Sequence, residues 1–229
     1  MGWWLVASLG KTATMTDATT TPRERWLGPG VAGIGTASFL ADVGHEIPTA
    51  LLPNLLTTTL GAPAPAAALG LIEGIADGLA GAARLAGGAI ADDPHRRRAQ
   101  AVAGYAATAV LSSLIGAATT VWQVAVLRAG AWAARGLRVP ARNALLADIV
   151  PASVYGRAYG FERAMDNLGA IAGPLLALAL VGLVGTRTAI ALSIIPGLLA
   201  ALAILYAIRH APAPSSGNAS PCGCASGRC

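Results

Sequence analysis

Apolar residues fill six stretches of membrane-spanning length along this chain, at 30–55, 66–90, 99–118, 120–139, 158–183 and 188–208. A hydrocarbon core of about 30 Å, climbed at about 1.5 Å per residue, needs about 20 residues per helical span. Polar and turn-forming residues mark the breaks. Pro63 and Pro65 separate the first two stretches, and Asp92-Asp93-Pro94-His95-Arg96-Arg97-Arg98 separates the second from the third. Gly185-Thr186-Arg187 parts the last two, while the third and fourth meet closely around Ala118 to Thr120. The pattern predicts an all-α, polytopic membrane protein with six transmembrane helices over residues 28–209.

Outside the spans the chain changes character. Residues 1–27 read as a cytoplasmic leader, since Trp3 to Leu9 is too short to cross and lacks the basic flank of a signal peptide. Met15, ahead of a Thr-rich polar segment, is a plausible true start. Between the fourth and fifth stretches, Pro140 and Pro151 bracket an amphipathic run expected to lie as a short helix along the inner membrane face. Residues 210–229 read as a disordered cytoplasmic tail, and Cys222, Cys224 and Cys229 in it as reduced thiols.

Charge adds orientation to the pattern. Only 12% of residues are charged, against about 25% in a soluble domain. Lys11, Arg23, Arg25, Arg96, Arg97, Arg98, Arg135, Arg138, Arg142, Arg157, Arg163 and Arg209 would share one side, and Arg187 alone the other. Cationic loops stay on the cytoplasmic side, so both termini are expected there. The net charge of +5 is then orientation bias, and with no aromatic-interleaved basic patch nucleic-acid binding is rejected. No phosphate-binding glycine loop, catalytic triad spacing or metal-ligand cluster stands in the spans, so neither an enzyme, a cofactor nor a metal is expected.

Ionisable side chains inside spans cost roughly 2.5–3.5 kcal/mol each on insertion scales, which makes them functional candidates. Asp42, His45 and Glu46 share one face of the first helix, and Glu73 and Asp77 stand four apart on the second. Arg128 lies about 12 Å below the start of the fourth helix, at a depth similar to that of Glu73. Together they suggest a polar cavity where Asp42, Glu46, Glu73 and Asp77 take up protons and Arg128 is the counter-charge. The same charges could instead only pair and lock helices together. Gly70, Gly74 and Gly78 form a small-residue ridge expected to pack against another helix.

Four segments resemble the major facilitator superfamily. The loop after the second helix is similar to that family's signature Gly-x-Leu-Ala-Asp-Arg-x-Gly-Arg-Arg, matched by Gly88, Asp92, Arg96 and Arg97. Asp93 and His95 depart from it. Phe39 to Pro48, followed by Leu52-Pro53, is similar to the first helix of bacterial permeases of the family. Arg128 falls where the family carries a fourth-helix arginine, with Trp132 in place of the usual glycine. Gly169, Gly173 and Pro174 resemble the Gly-x-x-x-Gly-Pro motif of drug:proton antiporters, though the glycine pair that normally follows is Leu-Ala.

The resemblance implies one six-helix half-bundle of a proton-coupled permease or efflux protein in the plasma (inner) membrane. The signature loop would help gate it, and a small-molecule substrate would be carried across the bilayer. Such transporters use two half-bundles that rock around a site between them. A second six-helix half, or a homodimer, is therefore the expected partner, and truncation is the leading explanation for the chain's length. The competing expectation is a non-transporting, truncated or partner-binding membrane protein.

Overall fold

A computed structural model of the chain describes residues 26–210, and these are helical with short connections. Helix α1 runs Pro29–Asn54 and ends in a wide turn of π-helix at Leu55–Thr59; α2 is Pro65–Ala91. Helix α3, Pro94–Leu114, ends in a 3-10 turn at Ile115–Ala117, and α4 covers Val121–Ile149. After a 3-10 turn at Ala152–Val154 come α5, Tyr155–Val184, then α6, Thr186–Leu192, and α7, Ile194–His210. The starts follow from local chemistry. Proline opens α1, α2 and α3, where its missing N–H costs nothing. Asp93 caps α3 by accepting from the His95 N–H at 2.9 Å. Thr120 and Gln123 form a capping box at the start of α4.

The helices alternate in direction. One end of the bundle is tied by Arg97 to Asp148, joining the start of α3 to the end of α4, and by Tyr159 OH to Asn143 O at 2.8 Å. The other end is tied by Asn54 to Thr186 (2.7 Å), and by the Arg187 guanidinium, which donates to Gly116 O and Ala118 O. In packing order the helices run α2, α4, α3, α7, α1, α5, an open arc with α2 and α5 at its flanks.

Lipid is as apolar as leucine, so helices in a membrane gain from close backbone approach rather than from the hydrophobic effect. Glycines mark those approaches here. A Cβ on Gly44 would lie 3.0 Å from Gly197 N, which seats α1 on α7. One on Gly136 would lie 2.5 Å from Ala80 O, seating α4 on α2. Apolar clusters around Ile34, Tyr105, Leu146 and Ile204, and around Ile47, Leu52, Ile115 and Ile190, fill the two ends of the interior.

Among the described residues, four stretches are long and apolar enough to cross a membrane: Pro65–Ala91, Pro94–Ala117, Ala152–Val184 and Thr186–His210. Helices α1 and α4 have 26 and 29 residues and carry most of the interior charges. The protein is an all-helical membrane bundle.

Three expectations are corrected. The amphipathic run between Pro140 and Pro151 is no separate surface helix, because α4 continues through Pro140 to Ile149. Interior prolines are tolerated in membrane helices, where neighbouring groups satisfy the freed carbonyl. Consequently Arg138 and Arg142 are buried and Arg135 is half-buried, so none of the three is a loop cation. Finally, Gly70, Gly74 and Gly78 face open space, with nothing within 4 Å of an added Cβ. The expected leader and tail lie outside the described residues, apart from residues 26, 27 and 210; His210 is the last residue of α7.

Candidate functional site

Arg128, Arg135 and Arg142 stand seven residues apart on α4, so two helical turns bring each back to the same face. They meet a matching stripe on the antiparallel α1. Arg128 Nη1 donates to Thr49 Oγ1 at 3.1 Å, Arg135 reaches Asp42, and Arg142 Nη1 donates to Ser38 Oγ at 2.9 Å. Helices α1 and α4 make few close backbone approaches. Polar side chains bridge the space.

Carboxylates complete each rung. Arg128 is fully buried and grips Glu73 of α2 with two parallel bonds, Nε to Oε1 and Nη2 to Oε2, both 3.1 Å. Arg135 binds Asp42 in the same two-pronged way, at 2.6 and 3.2 Å. Such forked pairs fix direction as well as charge. Arg142 lies 2.8 Å from Glu162 and 3.5 Å from Asp166 of α5, while Ser38 Oγ donates to Glu162 at 3.0 Å.

Trp132 occupies the turn between Arg128 and Arg135. Their guanidinium carbons lie 5.3 and 5.7 Å from its ring centre, and the His45 ring packs nearly perpendicular to it at 4.8 Å between centroids. Two cations on one indole help hold both arginines in place.

Of the five residues expected in a proton and substrate pathway, the structure brings Asp42, Glu73 and Arg128 into this ladder, with Arg135 rather than Arg128 facing Asp42. Glu46 is half-buried beside it and, among the described residues, makes no hydrogen bond or ion pair. Asp77 is exposed on α2, away from any partner among the described residues. The helix-five motif lies against the same carboxylates. A Cβ on Gly169 would collide with Phe39 O and lie 2.9 Å from Asp42 Cβ, and one on Gly173 would lie 2.5 Å from Glu46 Cβ. Pro174 is half-buried within α5.

In the loop between α2 and α3, where a gating role is expected, Arg97 is the anchored cation: its Nε donates to Ala91 O at 2.8 Å and its Nη1 to Asp148 at 2.6 Å. Arg96 pairs locally with Asp93 at 3.3 Å, both largely solvent-facing. Asp92 is exposed, and its backbone N–H donates to Gly88 O at the end of α2. Gly88 itself has open space around it. Its neighbour Gly87 is the packed one, 2.8 Å from Leu137 O for an added Cβ.

Sequence reasoning passed over Arg135, Arg142, Glu162 and Asp166 as site members. A signal was present, the seven-residue spacing of the arginines together with the four-residue spacing of Glu162 and Asp166. Reading Pro140 as a helix end concealed it. Among the described residues, no group of three or more His, Cys, Asp or Glu is arranged to hold a metal.

The sequence model of the Major Facilitator Superfamily matches residues 34–221. The chain belongs to that family of membrane transporters. An uncharacterized protein of Mycobacterium tuberculosis is 31% identical over 188 residues, covering 81% of this chain and 45% of the relative. A Mycobacterium bovis protein matches to the same extent. An uncharacterized MFS-type transporter of Methanocaldococcus jannaschii is 28% identical over 200 residues, 84% of this chain and 48% of the relative. The chain spans a little under half the length of these relatives.

Proposed function

We propose that this chain forms the amino-terminal six-span half of a proton-coupled secondary transporter, an efflux protein or permease for a small molecule. In this reading α1 and α4 cross the membrane as the charged inner spans, and α6 with α7 makes the sixth span. Both termini lie in the cytoplasm, and the membrane is the plasma (inner) membrane. A second six-helix half, or a second copy of the chain, closes the pathway. The gating loop at Gly88, Asp92, Arg96 and Arg97 works at the cytoplasmic end.

The observation that carries the reading is the charge balance of the cleft. Arg128 and Arg135 are each committed to one carboxylate, and Glu46 stands beside them without a partner among the described residues. An ionised carboxylate within the membrane needs a positive partner, and the proton is the smallest available. Asp42 and Glu46 then hold or release protons, while Arg128 and Arg135 compete with the proton for the carboxylates. Asp77, on the flank of the arc, would complete the pathway when a second half covers α2.

The test is substrate-driven proton movement in proteoliposomes, read with a pH-sensitive dye across a panel of small organic cations, anions and neutral compounds. A proton flux that is present in the wild type and lost in Glu46→Gln, Asp42→Asn and Arg128→Ala supports the assignment. Wild-type coupling in all three variants defeats the site. No flux with any compound, from an intact bundle, favours the partner-binding reading instead.

A further inference from the structure

We propose that a small cavity between α1, α3, α4 and α7 is an internal water site, with one water molecule shared by His45, Tyr105, Ser112 and Arg138. It is separate from the transport reading and does not depend on it. Every residue lining the cavity is buried, and its volume of about 10 Å³ is about the space that the centre of one water needs. The polar part of its wall is His45, Tyr105, Thr108, Ser112 and Arg138. The Thr108 hydroxyl is already used, donating to Gly104 O at 2.7 Å. The others are not. Both ring nitrogens of His45, Ser112 Oγ and Arg138 Nε are buried without a partner among the described residues, and the Tyr105 hydroxyl, which lies beside the Arg142 guanidinium, makes no hydrogen bond of good geometry there.

Arg138 explains why water is needed at this point. Of the three buried arginines, Arg128 and Arg142 pair with carboxylates, whereas Arg138 makes no ion pair or hydrogen bond among the described residues and lies over the Tyr105 ring, with its guanidinium carbon 4.1 Å from the ring centre. A ring face stabilises the charge but leaves the Nε–H without an acceptor. An anion would accept from that donor, yet it could not donate to the acceptor nitrogen of a neutral imidazole. Water does both, and it fits the space. Buried polar cavities of this size with several convergent groups are where structural waters sit. His45 packs against Trp132 and also lines this cavity, so the water would link the arginine ladder to α3 and α7.

Radiolytic hydroxyl labelling of the full chain in lipid nanodiscs tests this, because a bound water generates the radical beside its own contacts. Tyr105 is 1% exposed, yet it is expected to be labelled within about tenfold of the rate of Tyr155, an exposed residue outside the spans at the start of α5. Ser112→Val, which removes one partner and fills space, is expected to cut Tyr105 labelling about fivefold or more while Tyr155 labelling is unchanged. Silence at Tyr105 in the wild type overturns the proposal. Equal labelling in wild type and Ser112→Val also overturns it, since the radical would then arrive by transient opening. Should Ser112→Val not fold, millisecond mixing of the wild type into ¹⁸O water decides. Retained ¹⁶O on Tyr105 marks a slowly exchanging bound water, and immediate ¹⁸O overturns the site.

Discussion

Arg135 and Asp42 are held face to face across the gap between α4 and α1, with guanidinium and carboxylate joined at 2.6 and 3.2 Å. Asp42 is also the residue whose Cβ lies 2.9 Å from where a side chain on Gly169 would begin. One carboxylate therefore couples three helices. It is tied by charge to α4 and by close packing to α5, from its own place on α1.

Breaking this pair from one side should cost more than removing it whole. Arg135→Met leaves a buried carboxylate unpaired, with an expected loss of about 3–5 kcal/mol, whereas Asp42→Leu with Arg135→Met should recover most of it. Denaturant midpoints followed by tryptophan fluorescence in mild detergent provide the comparison. A double variant no more stable than the single one would show that the two residues are not energetically coupled.

The glycines should divide into two classes. Gly173→Leu drives a side chain into Glu46 Cβ and Val43 O, and about 1–3 kcal/mol of destabilisation is expected. A Cβ at Gly74 meets nothing within 4 Å, so with Gly74→Leu the isolated chain should keep its melting temperature. Equal losses at both positions would contradict the packing order of α1, α2 and α5.

Trp132 serves two arginines at once. Trp132→Leu removes both cation–π contacts, with an expected loss of about 1–2 kcal/mol, and Trp132→Phe should retain much of the contribution. The same melting assay ranks the three side chains. Leu matching Trp would mean that the arginines are held by their carboxylates alone.

Sidedness is directly measurable. In a background with Cys222, Cys224 and Cys229 changed to Ser, Arg98→Cys should react with an impermeant maleimide only in inside-out vesicles. Arg187→Cys should react, if reachable at all, only from the outside. Labelling of both from one side would break the six-span topology. Arg187 donates to Gly116 O and Ala118 O, in and just after the 3-10 turn that follows α3, so its replacement should also loosen that end of the bundle, which the melting curve would register.

The sequence by itself determined the helices, because a span is a local, one-dimensional property. The apolar run between Pro65 and Ala91 is long enough for a bilayer whatever surrounds it, and Pro94 after Asp93 starts α3 wherever that helix goes. It also showed which residues were expensive to bury, since Asp42, Glu73 and Arg128 stand out against an apolar background. Only the tertiary structure decided their partners. Which carboxylate an arginine meets depends on how each helix is rotated and which helix lies beside it. Backbone approach at Gly44, Gly136, Gly169 and Gly173 sets both of these. That is why Arg135, which reads as a loop cation next to Pro140, lies opposite Asp42, and why Gly70, Gly74 and Gly78, which look built for packing, face outward. Helix existence follows from hydropathy along the chain, and the site follows from rotation and neighbourhood, which hydropathy does not encode.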